Sequence, residues 1–124
     1  MTPEDKDLLL KDLCARLPYG VICKDDYIKI EGKLSQIGIN YDMCLLSDVY
    51  GKTEWAYIPN CKPYLFPLSS MTEEQEEELR KLCTFNCLDY LTPEAVDWLN
   101  KNHFDFRNLI GRGLAIDCTN LNIY

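Results

Sequence analysis

Apolar residues first recur at three- and four-residue spacing: Leu9, Leu13 and Leu17, joined by Leu10 and Cys14, fall on one stripe of a helix. Thr2 stands where a cap belongs, Pro3 suits the first helical position, and Glu4 and Asp5 complement the positive pole of the helix dipole. Pro18 and Gly20 end the pattern, so the spacing predicts a helix over residues 3–17. The period then drops to two. Val21–Lys24 reads as a short strand and Asp25-Asp26 as a turn, and Tyr27–Leu34 alternates, with Ile28, Ile30 and Leu34 on one face and Lys29, Glu31 and Lys33 on the other. Between Leu34 and Ile37 the apolar parity changes, which a regular strand cannot do, so a bulge or turn is expected at Ser35-Gln36 or Gly38. Tyr41–Ser47 is the most apolar strand and is expected near the centre of a sheet; Thr53–Ile58 returns after a turn at 48–52, with Trp55 and Tyr57 on one side. Loops this short favour antiparallel neighbours.

Prolines at 63 and 67, after Pro59, remove amide donors from the next segment, so residues 59–71 read as an extended connector laying Tyr64, Leu65 and Phe66 on the core. Thr72-Glu73-Glu74-Gln75 is a capping box opening a helix that runs to Leu82 or Cys83, with Leu79, Leu82 and Cys83 inward. Thr92-Pro93-Glu94 opens a third helix over 93–102, with Ala95, Val96 and Leu99 inward. A turn over Phe104–Ile110 and the Gly111-Arg112-Gly113 link lead to a last strand, Leu114–Cys118. The fold class is therefore α+β in a single domain, 1–124. It comprises an N-terminal helix, an antiparallel sheet of about four to five strands, two helices in the second half and a final strand.

Charge narrows the partners. Thirteen basic against twenty acidic residues give a net charge of −7, which repels nucleic-acid phosphates and anionic membranes. Lys24, Lys29 and Lys33 form the one basic cluster and read as a solvated face. Seven cysteines at irregular spacing, several inside apolar runs, behave as small hydrophobes rather than as a disulfide framework, and the chain is expected in the cytosol. No apolar stretch reaches the length of a membrane span.

Candidate chemistry is sparse. His103 is the one histidine, so Ser-His-Asp or Cys-His catalysis would have to use it. Its place at a helix end suggests a cation favoured by the dipole. Cys83 and Cys87 lack the two-residue spacing of zinc ligands and read as half-buried thiols, so neither a metal nor a cofactor is expected. Glu73, Glu74, Glu76, Glu77 and Glu78 make the strongest charge run, suited to a soluble helix face or to docking a basic partner. Arg107, beside Phe106, and Arg112, between two glycines, are the candidates for holding an anion, although a structural ion pair explains Arg107 as well. Tyr50, Trp55, Tyr57, Tyr64 and Phe66 gather aromatic character on the sheet and connector, the residue type enriched in binding patches.

The strings from Lys11 to Val21, Lys62 to Glu74 and Trp98 to Ile110 resemble a family of small uncharacterised proteins of gut Bacteroidales genomes and their phages and mobile elements. The resemblance departs between Cys83 and Pro93, a stretch that is shorter here, so a family binding loop in that place would be reduced. It implies a bacterial or phage cytosol and an accessory role in modulating a host or defence component; it supplies no mechanism.

Together these features favour a non-catalytic module that binds a protein partner through the aromatic sheet–connector surface, with the acidic helix as a second candidate contact. No direct contact with nucleic acid or membrane is expected. The alternative is a small-ligand or nucleotide-binding protein, with Arg107 or Arg112 on an anion and a tyrosine or Trp55 stacked on a base. A cysteine hydrolase using His103 is the weakest reading, since no electropositive setting for a thiolate is visible.

Overall fold

The computed structural model describes all residues from Met1 to Tyr124. The first helix, α1, spans Pro3–Arg16, and the Thr2 hydroxyl accepts the Asp5 amide at 3.1 Å as the sequence pattern requires. Leu9 and Leu13 are fully buried on its inner stripe. Strands β1 (Ile22–Asp25), β2 (Ile30–Gly38), β3 (Met43–Ser47), β4 (Thr53–Tyr57) and β5 (Cys61–Pro67) follow, then α2 (Glu73–Lys81) and α3 (Pro93–Lys101). Two short strands, β6 (Phe104–Asp105) and β7 (Ile116–Asp117), complete the fold. The strand order is β4-β3-β2-β1-β5-β6, with β7 also paired to β5. No helix is long and apolar enough to cross a membrane.

The α+β order agrees with the sequence pattern, but the sheet is larger than four to five strands and is mixed. Its antiparallel part runs from β4 to β5, and β5 pairs parallel with both β6 and β7. The extended connector is this strand β5, and the reason lies in where its prolines fall. The Leu65 carbonyl accepts from the Cys118 amide at 3.0 Å, so Leu65 faces β7. Alternation turns the nitrogens of Pro63 and Pro67 to that same side, where β7 pairs only with Tyr64 and Leu65. Neither proline interrupts a rung. Likewise the turn expected over Phe104–Ile110 begins with β6, and the final strand is shortened to Ile116–Asp117.

The alternating run from Tyr27 is interrupted. Asp25 Oδ1 accepts the amides of Tyr27 and Ile28 at 2.8 and 3.1 Å, folding 26–29 into a turn with Lys29 at φ 56 and Ile28 exposed. Burying Ile28 would cost these two local bonds, so the strand starts at Ile30 and its inner face is Gly32 and Leu34. The parity change appears as a bulge between Leu34 and Gln36. Strand β3 lies next to the edge, not at the centre, because β4 returns on its outer side.

The sheet curls around α1. Cys44 on β3 and Cys61 on β5 meet with their sulfurs 3.2 Å apart, although two other strands separate β3 from β5. Three strand steps span about 14 Å in a flat sheet. Two thiols in such contact allow roughly 9 Å between their Cα atoms. Curvature closes the difference. Leu9, Leu13, Val21, Leu34, Leu46 and Leu65 fill the concave side. A second cluster, with Leu79, Trp98, Leu99 and Phe104, lies between α2, α3 and β6.

Candidate functional site

The five aromatics singled out by sequence do not form one surface. Trp55 and Tyr57 stay together on the outer, convex face of the sheet, opposite Leu45 and Met43 of β3, and are 47% and 45% exposed. The Trp55 indole extends over Gly38, where a Cβ would stand 3.9 Å from its Cζ3. Ile39 and Tyr41, in the turn that joins β2 to β3 beside Tyr57, are also exposed. Tyr50 sits at the other end of the β3–β4 hairpin and is 92% exposed on a turn held by Asp48, which accepts the amides of Tyr50 and Lys52.

Tyr64 and Phe66 belong elsewhere, which corrects their assignment to a partner surface. Tyr64 is 5% exposed and donates its hydroxyl hydrogen to Glu31; burial and that carboxylate push its phenol pKa up. Phe66 packs against Phe104 and Tyr124 with ring centroids 5.9 and 6.0 Å apart. Both stand on the part of the sheet that the segment after β7 helps to cover, and this tertiary cover is invisible to alternation within one strand.

The two arginines proposed for an anion already have carboxylates. Arg107 Nη1 donates to Asp12 Oδ1 at 2.6 Å, and its guanidinium lies over the Phe106 ring at 4.2 Å. Arg112 Nη1 donates to Asp5 at 3.0 Å. Both are therefore bound to α1, and neither meets Trp55 or a tyrosine of the aromatic set. Of the lysine trio, Lys24 and Lys29 border one hollow with Asp26 and Glu31, and Lys24 pairs with Asp26 at 3.6 Å.

A polar network that sequence reading missed anchors this region. Arg16 and Asp12, one helical turn apart and both fully buried, are bonded through Arg16 Nε at 2.9 and 3.0 Å. Arg16 Nη2 reaches the Phe104 carbonyl at 2.6 Å, and Asp105 receives the amides of Leu109 and Ile110 at 2.9 Å. Arg16 Nη1 has no partner. The available signal was charged residues at 12 and 16 inside the stripe that carries Leu9 and Leu13.

His103 does not act as a dipole-stabilised cation. It follows α3 in the left-handed region at φ 63, and its ring stacks on Tyr124 at 3.8 Å. Burial first, and then the Arg16 charge, push its pKa down to about 4, so it is neutral at pH 7. Its buried Nδ1 has no hydrogen-bond partner and is not aimed at a nucleophile. Cys83 donates to the Leu79 carbonyl at 3.3 Å, and burial raises its thiol pKa. Cys23 is raised by burial, and Cys118 is pushed up to about 11, also by burial first. These thiols are protonated hydrophobes at neutral pH. No cluster of three or more histidine, cysteine or acidic side chains is placed to hold a metal ion.

The exposed face around Trp55 and Tyr57 is then the strongest candidate site. It joins large apolar side chains on a strand that has no neighbour on its outer side. No family model matches the chain, and neither a curated protein nor a solved structure is similar to it at a significant level.

Proposed function

We propose that this protein is a non-catalytic interaction module whose convex β3–β4 face binds a protein partner. The observation that carries the reading is the pair Trp55 and Tyr57, side by side on the uncovered face of an edge strand and each about half exposed. The usual solvent face of an antiparallel sheet is polar. Here Met43, Leu45, Trp55 and Tyr57 make it apolar over two strands. Covering the exposed half of each of these two side chains is worth about 1–1.5 kcal/mol, enough for the pair to act as anchors of an interface. The net charge of −7 supports a protein partner over nucleic acid or an anionic membrane. In keeping with the sequence resemblance, the setting is the cytosol of a bacterium, and the protein acts as an accessory of a phage or mobile element that modulates a host or defence component.

Site-directed photo-crosslinking in a Bacteroidales host tests this. A benzophenone side chain at 55 or at 57 is expected to capture one and the same protein. The same group at Phe85, an exposed aromatic outside this face, is expected to leave that protein uncaptured. Equal capture from all three positions, or none from 55 and 57, would count against the reading.

A further inference from the structure

The backbone of β4 specifies the form in which a partner can bind. The Asp48 amide donates to the Lys52 carbonyl at 2.9 Å, and the Ile58 amide donates to the Asp42 carbonyl at 2.8 Å. Even-numbered residues of this stretch therefore turn their amides and carbonyls toward β3. Thr53, Trp55 and Tyr57 turn theirs outward, at the free edge of the sheet. No proline, lysine or bulge interrupts Thr53–Tyr57, and Glu54, on the inner side, is the one charged side chain of this edge. Across the strand from Trp55, the Glu54 side chain helps line a hollow of about 220 Å³ that includes Glu31, Asp48 and Lys52, three carboxylates against one lysine.

We infer that β4 accepts an extended segment of the partner as an additional strand, its residues alternating between apolar and basic. This inference rests on the interaction role proposed above. Main-chain hydrogen bonds to Thr53, Trp55 and Tyr57 supply register. Apolar side chains on one face of the added strand cover Trp55 and Tyr57, and lysine or arginine on the other faces Glu54 and the acidic hollow. A second copy of this chain is the poorer occupant: two-fold pairing of β4 brings two acidic hollows and two net charges of −7 together.

A short blocked peptide of alternating valine and lysine, titrated into isotopically labelled protein, tests the inference by nuclear magnetic resonance. The expected result is a set of shifts along β4 and a slowing of amide exchange at Trp55 and Tyr57 by about tenfold or more at saturation. The valine–glutamate counterpart is expected to bind about tenfold more weakly or worse. N-methylation of every residue of the valine–lysine peptide, which blocks both of its edges, is expected to abolish binding. If the N-methylated peptide binds equally and the Trp55 and Tyr57 amides stay unprotected, strand addition is wrong while a role for the aromatic face survives. Equal binding of the two charge patterns overturns the basic specificity. Absence of any shift overturns the inference, and the crosslinking result then judges the broader role by itself. A concentration-dependent dimer with these amides already protected assigns the edge to a second copy instead.

Discussion

Asp12 receives hydrogen bonds from two arginines, Arg16 and Arg107, at the point where α1 meets β6 and the loop after it. Removing one partner of such a buried pair leaves a charge without compensation, which matters more than the modest net worth of the intact pair. His103 lies within reach of the same field, and its response to acid is the measurable consequence. A histidine whose folded pKa is about 4, against about 6.5 when unfolded, binds its proton more readily in the unfolded chain. Its contribution to stability is therefore fully present above pH 6.5 and is lost progressively as pH falls toward 4. Allowing for its partial exposure, the loss amounts to about 1–2 kcal/mol. Urea unfolding at pH 7 and pH 5 should show this slope in the parent protein. His103→Asn, which suits the left-handed backbone, should flatten it. An identical slope in both proteins would assign the acid sensitivity to other groups.

At the scale of elements, Gly32 on β2 lies tight against the end of β3: a Cβ there would stand 2.5 Å from the Ser47 carbonyl oxygen. That neighbour is backbone, so Gly32→Ala must part the two strands. The expected cost is about 1–3 kcal/mol in urea unfolding. Gly38→Ala, whose Cβ meets nothing nearer than 3.7 Å, is expected to cost less than about 1 kcal/mol. Equal costs would show that the ladder yields at Gly32 without strain. This close approach was not legible in the sequence, which marked Gly32 only as part of an alternating run. The helices were legible because their signals are local: Thr72 and Gln75 exchange both capping-box bonds, and Thr92 caps α3 through the Ala95 amide. The bulge after Leu34 was legible as a parity conflict. In contrast, β5 and β6 owe their existence to partners far away in sequence, and Pro63 and Pro67 concealed the strand that carries them. Half of the aromatic site was legible for the same reason: Trp55 and Tyr57 share a face by simple alternation, while Tyr64 and Phe66 are covered by residues no strand pattern could bring there.

Across the whole molecule, the curl that brings Cys44 to Cys61 must be reconciled with a β1–β5 ladder that ends at Cys23 and Pro63. The next rung would join Ile22 to Tyr64, and there the strands have already separated. The Tyr124 hydroxyl fills the break: it accepts the Ile22 amide at 2.9 Å and donates to the Tyr64 carbonyl at 2.8 Å. One side chain from the last segment thus substitutes for a rung of the sheet, while its ring stacks on His103. Tyr124→Phe keeps the stack and removes the bridge, leaving a donor on β1 and an acceptor on β5 without each other or a shared partner. The expected loss is about 1–2 kcal/mol, read as a lower urea midpoint with an unchanged slope. Amide exchange at Ile22 should quicken in the variant, while amides in the middle of β2 and β3 change only with global stability. Tyr124→Ala should cost more, since it also uncovers His103 and Phe66. If Tyr124→Phe leaves both the midpoint and the Ile22 exchange rate where they were, water completes the rung as well as the phenol does, and the curled sheet holds its break without the strap.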